Sequence, residues 1–140
     1  MENNRKYLYL LDEYKKAVNY PNHLRLKELQ HKFLYLIKYE KLPLFKIGIT
    51  NTPNNRFRNI ENTSGLEVHN LLLLECQYDY DEQPIFIEHF LHEYFNHKRT
   101  IGEWFTLSIR DVVAIRNLIW YIEGEMIWDN VEEICSSAKK

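Results

Sequence analysis

Three side chains of the kinds that bind phosphate fall close together in the first half of the sequence. Tyr35 lies within an apolar, β-prone run, Lys46 lies near the start of a second such run, and Arg56 follows ten residues later. A hairpin that leads into a helix can bring three such residues to one small surface. A guanidinium pairs with two phosphate oxygens at once and stays protonated. The spacing therefore indicates a place that could hold a phosphodiester.

The elements that must position these residues are predicted from the local pattern. Residues 33–37 and residues 45–50 are typical of two strands, and the turn-like segment 39–43 between them completes a hairpin. Thr52 followed by Pro53 is typical of a helix start. We therefore expect a helix over residues 55–62 directly after the hairpin.

The rest of the chain shows helical spacing with one further strand. The expected elements are helices at residues 5–17, 22–31, 84–97 and 108–123, and a buried strand at residues 71–74. This order predicts an α+β domain with a small three-stranded sheet flanked by helices and an N-terminal helical extension. We expect the extension at residues 1–31, the domain at residues 32–124 and a tail at residues 125–140.

Composition limits the function classes. The 140 residues are 45% apolar, which is enough for one domain with a core. The formal net charge of −2 excludes a globally basic nucleic-acid binder, so any such contact must come from a local cluster of Lys and Arg. Clusters this diffuse are also common on solvated faces. Two cysteines are too few for a disulfide framework.

The apolar runs are short. The longest contain four or five residues, so we expect no segment that spans a bilayer. The run at residues 7–11 is cut short by Asp12 and Glu13, which is too little for a signal peptide. We expect a cytoplasmic protein.

Four short motifs stand in a familiar order. They are the aliphatic-Tyr-aliphatic strand around Tyr35, the segment Lys-Ile-Gly-Ile-Thr at 46–50, Arg56, and Glu88 in the helix 87–95 that precedes Gly-Glu-Trp-Phe at 102–105. Together they resemble the GIY-YIG nuclease superfamily, in the branch with a KIGxT second motif that is common in phages and large DNA viruses. The resemblance covers about residues 33–107, and it implies a host-cell location if the protein is viral.

The resemblance implies a metal-dependent endonuclease that hydrolyses phosphodiester bonds in DNA. In that family a water attacks phosphorus in line with the leaving 3′ oxygen, and a tyrosine assists directly or through water. One Mg²⁺ or Mn²⁺, held by a glutamate, stabilises the leaving group, and an arginine meets the phosphate charge. A hard carboxylate ligand suits Mg²⁺, which keeps several of its waters.

Carried over by position, the motifs imply a role for several residues of this chain. Tyr35 matches the tyrosine, Arg56 the arginine and Glu88 the metal ligand. The expected substrate contacts are Gly48, Thr50, Arg58 and Lys38. His92 lies four residues after Glu88, so the pair could share a metal or simply form a hydrogen bond on the helix surface. We expect Glu88 to bind the metal directly. We expect His92 to be structural or to hold Glu88 in place without binding the metal.

Lys46 stands where the second motif usually has a tyrosine. It could act as a base only if desolvation or a neighbouring cation lowered its pKa by several units. A simpler role is a phosphate contact, which leaves Tyr35 as the candidate base.

Two alternatives remain open at this level. One is a member of the fold without catalysis that binds nucleic acid. The other is a phage or viral factor that binds a protein partner. The helix at 5–17 carries more apolar surface than it would need merely to cover the rest of the domain. This surplus favours a homodimer or a protein partner that binds through the N-terminal helices.

Overall fold

An antiparallel sheet lies at the centre of this protein and helices pack around it. The computed structural model describes residues 2–18, 32–76, 84–123 and 127–128. Its elements are α1 Glu2–Val18, β1 Phe33–Tyr39, β2 Phe45–Thr50, α2 Pro53–Ser64, β3 Val68–Glu75, α3 Pro84–Tyr94, a 3₁₀ turn at Asn96–Lys98, β4 Trp104–Phe105, α4 Ile109–Glu123 and β5 Ile127–Trp128. The expected α+β class and the N-terminal helix are confirmed.

The sheet has the strand order β4-β2-β1-β3-β5, with β1 paired antiparallel to both β2 and β3. These three longer strands are the predicted sheet. Two-residue strands extend it at both edges: β4 pairs with β2, and β5 pairs with β3. Since β5 comes from the segment expected to be a tail, the sheet extends further along the chain than the apolar pattern indicated.

The two faces of the sheet have different neighbours. One face carries the apolar residues Leu34, Leu36, Phe45, Ile47, Leu72, Leu74 and Phe105, which belong to the main core with residues of α1, α3 and α4. The register sets Tyr35 opposite Gly48, and Ile37 opposite Lys46. Because side chains alternate along a strand, these four residues lie on the other face. This second face meets α2 through Phe57.

Helix α2 follows the hairpin as predicted. It is two residues longer at each end than expected, with Pro53 in its first turn. Gly65 ends it in the left-handed conformation, with φ 74°, and donates its N–H to the carbonyl of Glu61 at 2.8 Å. Glycine is favoured there because other residues are strained at positive φ. This helix therefore places Arg56 close to the end of β2.

The other described helices lie at the expected positions in the chain, and their ends differ from the expected ones by a few residues. Helix α1 spans the predicted 5–17, and α4 begins one residue after Ser108. The helix expected at 84–97 ends as an α-helix at Tyr94 and continues as the 3₁₀ turn. The helix expected at 22–31 lies outside the described residues. No helix within the described ranges is long and apolar enough to cross a bilayer.

Helix α1 packs chiefly against α4. It buries Leu10 and Tyr14, and Tyr14 makes edge contacts with Phe86 and Phe90 of α3. Part of the apolar surface that suggested a partner is thus used inside the domain.

Asp111 connects α4 to two other parts of the fold. Its carboxylate accepts hydrogen bonds from Lys98 at 2.5 Å and from Lys6 of α1 at 2.9 Å. It also accepts the backbone N–H of Ser108 at 3.0 Å, while the Ser108 hydroxyl accepts the N–H of Asp111. This reciprocal pair is a capping box at the start of α4. Burial by itself would raise the pKa of Asp111, but the bonds from Lys98, Ser108 and Lys6 outweigh it and lower the pKa.

Asp111→Asn is expected to lower the free energy of unfolding by about 1–3 kcal/mol at pH 7, since it removes charge-assisted hydrogen bonds to a buried acceptor. A carboxyl whose pKa is lowered by folding stabilises the fold above its unfolded pKa. That stability is lost as the pH falls through the folded pKa, so the difference between the two proteins should begin to shrink below about pH 3.9 and be smaller at pH 3 than at pH 7. Urea unfolding at pH 7 and at pH 3 measures both effects.

Asp12→Asn is the matched control for this prediction. Asp12 pairs with Lys16 on an exposed face of α1, and such pairs contribute little. An equal loss of stability in both variants would contradict the role given to Asp111.

Candidate functional site

Tyr35 lies pressed against Gly48 across the β1–β2 pair. Its side chain is 1% exposed, and its ring meets that of Phe57 edge-on, with the ring centres 5.3 Å apart. A Cβ atom added at Gly48 would lie 2.4 Å from the Tyr35 hydroxyl oxygen and 2.5 Å from Cζ. Real Cβ atoms do not come that close to another heavy atom. Gly48 is therefore what allows Tyr35 to occupy this position.

The electrostatic surroundings of Tyr35 include three other residues of the site. Burial raises the pKa of Tyr35 to about 12, which the charge of Arg56 partly offsets and the carboxylates of Glu103 and Glu88 reinforce. Tyr35 is therefore a neutral phenol near pH 7, able both to donate and to accept a hydrogen bond. The charges of Arg56, Glu88 and Glu103 thus all reach the hydroxyl of Tyr35.

Glu88 is a buried carboxyl group on α3. It is 8% exposed and makes no hydrogen bond or ion pair with any described residue. Burial, with a contribution from Glu103, raises the pKa of Glu88 to about 7, and Lys46 acts in the opposite direction. A carboxylate removed from water without a partner is unfavourable. Its position is explained most simply by a role with a positively charged group.

Glu88, His92 and Glu103 form a cluster, with one potential ligand atom from each within 4.8 Å of the other two. Glu88 and His92 lie one turn apart on α3 and so share a helix face. Glu103 comes from the turn before β4. Two carboxylates and an imidazole are donors that suit a divalent cation, and the buried, unpaired Glu88 fits such an ion as well.

The ring of His92 is held by the sheet. Its Nε2 lies 2.7 Å from the carbonyl oxygen of Ile47 in β2. A carbonyl can only accept, so Nε2 carries the proton, and in the neutral ring Nδ1 keeps a lone pair. Burial lowers the pKa of His92, although the bond to Ile47 and the charge of Glu103 oppose it. His92 is therefore favoured as a neutral imidazole with one nitrogen free to bind.

Lys46 lies at the edge of the same cluster. Its ammonium is 3.5 Å from a carboxylate oxygen of Glu103 and 5.6 Å from the centre of the Trp104 ring. Trp104 in turn stacks on Tyr39, with ring centres 4.1 Å apart. An ion pair and a cation–π contact both require the charged ammonium. These contacts favour Lys46 as a positive charge over Lys46 as a base.

The two arginines of α2 differ in their relation to the site. Both are exposed, and Arg56 is the one whose charge acts on Tyr35. Arg58 follows two residues later, and residues at that spacing do not share a helix face. The helix therefore turns Arg56 toward the tyrosine and Arg58 away from it.

Two of the expected substrate contacts have structural partners instead. Lys38 is 1% exposed, and its ammonium donates to the carbonyls of Tyr39 at 2.7 Å and Glu40 at 3.3 Å. The hydroxyl of Thr50 accepts the backbone N–H of Thr52 at 3.0 Å, and Thr50 is buried. The ammonium of Lys38 therefore binds backbone carbonyls of the residues that directly follow it in the chain, and it takes no part in the cluster.

The sequence pattern brought out most of this group and missed one member. Gly48 lies against Tyr35, and Glu88 and His92 lie in one cluster with Glu103. Lys46 pairs with Glu103, and the charge of Arg56 acts on Tyr35. The sequence motifs assign no role to Glu103, although it is part of the Gly-Glu-Trp-Phe segment at 102–105. The available signal was a carboxylate next to a glycine turn, and that pattern is too common to single out a site residue.

Comparisons with known proteins give one match. No curated protein and no solved structure matches the chain. The model of the T5orf172 domain family matches residues 32–120, which is more than half of the chain and includes every member of the cluster. This family is phage-associated and nuclease-like, which indicates a nuclease-like or DNA-binding function. The chain therefore belongs to the T5orf172 domain family.

Proposed function

We propose that this protein is a divalent-metal-dependent endonuclease that hydrolyses phosphodiester bonds in DNA with a site of the GIY-YIG type. The main support is the surroundings of Tyr35, where Arg56, Glu88 and Glu103 all act on one buried hydroxyl. Opposite charges set around a neutral hydroxyl are suited to phosphoryl chemistry, which needs a positive charge on the phosphate and an oriented water.

Arg56 and Lys46 supply the positive charge for the phosphate. Arg56 is exposed on α2, so its guanidinium can bind two phosphate oxygens of a DNA strand. Lys46 is held by Glu103 and Trp104, on the same strand as the Gly48 that faces Tyr35. A phosphate between them would meet charge from two directions, and both charges would become more effective as water is excluded.

Tyr35 orients the attacking water through its neutral hydroxyl. A tyrosine with a pKa of about 12 is very rarely ionised near pH 7, so it is a poor base in the anionic form. The hydroxyl can instead accept a hydrogen bond from the attacking water and hold it in line with the phosphorus, while the proton of that water passes to bulk solvent. This role keeps the tyrosine close to the reacting water without requiring a phenolate.

Glu88 holds the cation in this proposal. A bound Mg²⁺ or Mn²⁺ would stabilise the negative charge on the leaving 3′ oxygen. Glu88 contributes a buried carboxylate that forms no ion pair with any described lysine or arginine, although the charge of Lys46 reaches it. The alternative of a nucleic-acid-binding protein without catalysis gives no reason for a buried, unpaired carboxylate beside Tyr35.

A plasmid-nicking assay tests the proposal. The full chain is expected to nick supercoiled DNA with Mg²⁺ or Mn²⁺ and to stop when EDTA removes the metal. Arg56→Ala should lower the rate by about 10²–10³-fold, which is the usual loss when one charge-stabilising donor is removed. Single-stranded DNA, assayed in parallel, reports the substrate form.

Arg58→Ala is the matched control, because it removes the same charge from the same helix at an exposed position two residues away. It should keep most of the nicking rate. Equal losses in the two variants would mean that α2 contributes only general charge. DNA binding without any nicking would favour the non-catalytic alternative.

A further inference from the structure

We infer that Glu88, His92 and Glu103 together form one divalent-cation site, and that this site prefers a first-row transition-metal ion such as Mn²⁺ to Mg²⁺. The inference rests on the proposed function in that it concerns the cation of the same site. It adds two ligands, His92 and Glu103, and a metal preference that the glutamate alone does not imply.

The spacing of the three donors is close to what a bound ion requires. Donors at about 2.1 Å from an octahedral cation lie about 3.0 Å apart when adjacent and about 4.2 Å apart when opposite. The three ligand atoms here lie within 4.8 Å of one another. The largest of these separations therefore exceeds the spacing of opposite donors by no more than about 0.6 Å.

The ring of His92 has the support that metal-binding histidines have. Its Nε2 donates to the Ile47 carbonyl at 2.7 Å, which fixes the ring and leaves Nδ1 with the lone pair. Histidine ligands of metals usually donate their second nitrogen to a carbonyl or carboxylate in this way. An imidazole that served only to brace Glu88 would donate its proton to the carboxylate instead.

The charge around Glu88 also suits a bound cation. Lys46 pairs with Glu103, whose side chain is 44% exposed, and Glu88 is left as the more buried of the two carboxylates without a partner in the described chain. A cation bound between Glu88, His92 and Glu103 would compensate both carboxylates at once.

The donor set determines the metal class. Mg²⁺ prefers oxygen ligands and gives up its waters reluctantly. An imidazole nitrogen is a better ligand for transition-metal ions, and Mn²⁺ accepts carboxylates as readily. One nitrogen and two carboxylates therefore favour Mn²⁺, and the preference should depend on His92.

Isothermal titration calorimetry of the full chain with Mn²⁺ and with Mg²⁺ tests the inference. The wild type should bind Mn²⁺ at least about tenfold more tightly than Mg²⁺. Glu88→Gln, His92→Gln and Glu103→Gln should each weaken Mn²⁺ binding about tenfold or more, because loss of even a supporting group commonly costs that much. His92→Gln should also remove most of the Mn²⁺ preference.

Three features keep the test interpretable. His92→Gln keeps an N–H near the position of Nε2, so the bond to Ile47 can persist, and thermal melting verifies folding. His89→Gln and Glu93→Gln change the same residue types at exposed positions of α3 and should leave the affinity unchanged. Lys46→Met should strengthen Mn²⁺ binding severalfold, since it removes a positive charge 3.5 Å from Glu103.

The outcomes separate this inference from the proposed function. Mn²⁺ binding with this mutational pattern but without DNA nicking supports the site and rejects the nuclease. Nicking that needs Glu88, with metal affinity indifferent to His92→Gln and Glu103→Gln, overturns the three-ligand site and leaves the nuclease standing. Equal binding of Mn²⁺ and Mg²⁺, or no metal binding, also overturns the inference.

Discussion

Glu88→Gln is expected to lower the DNA-nicking rate by about a thousandfold at saturating Mn²⁺. The substitution keeps the shape of the side chain and removes the charge through which it would hold the cation, and such electrostatic contributions are commonly of this size. Rates of plasmid nicking for the wild type and the variant, compared over a range of Mn²⁺ concentrations, measure the loss.

The fold should tolerate this change. Because burial raises the pKa of Glu88 to about 7, the ionised carboxyl at pH 8 destabilises the metal-free fold relative to a neutral group. Glu88→Gln should therefore unfold at an equal or higher urea concentration than the wild type at pH 8. A loss of nicking that accompanied unfolding would say nothing about the cation.

Glu93→Gln provides the matched control for activity. Glu93 lies on the same helix, is exposed and is not part of the cluster. The control should nick DNA at the wild-type rate. If Glu88→Gln did the same while it remained folded, the metal-dependent mechanism would be wrong.

Gly48→Ala is expected to destabilise the protein by roughly 1–3 kcal/mol and to lower the nicking rate by about a hundredfold. The added Cβ would lie 2.4 Å from the Tyr35 hydroxyl oxygen and 2.5 Å from Cζ, so the ring must move. The ring is also packed on Phe57, which leaves it little room. Urea unfolding gives the first effect and plasmid nicking gives the second.

A double-mutant cycle with Tyr35 identifies the cause. In a Tyr35→Val background the clash is absent, so Gly48→Ala should cost much less stability there than in the wild type. Tyr35→Phe alone keeps the ring in place and should reduce nicking with little loss of stability. A Gly48→Ala cost that was equal in both backgrounds would show that the ring is not what the new methyl group meets.

Local signals predicted the elements around the site well. Residues 45–50 alternate and end before a Thr-Pro helix start, and the structure has β2 and then α2 at these positions. Helix α4 begins one residue after the predicted start at residue 108 and ends at the predicted residue 123. Such signals are reliable because a strand period, a cap and a proline act within a few residues of themselves.

Local signals did not predict the features of the fold that depend on contacts between segments distant in the chain. Packing between elements buries Lys38, one of the expected substrate contacts, and its ammonium donates to the carbonyls of Tyr39 and Glu40. The two short edge strands also went unpredicted, since two residues carry no period and pair only because a long strand is beside them.

The sequence by itself determined the α+β class, the hairpin that leads into α2, and the presence of Tyr35, Arg56 and Glu88 in the order of a nuclease-like family. Only the tertiary structure decided that Glu103 joins Glu88 and His92, and that Tyr35 lies buried against Gly48. Helix and strand formation follow from near neighbours in the chain. The distance between two side chains follows from register and packing between elements, which no single segment encodes.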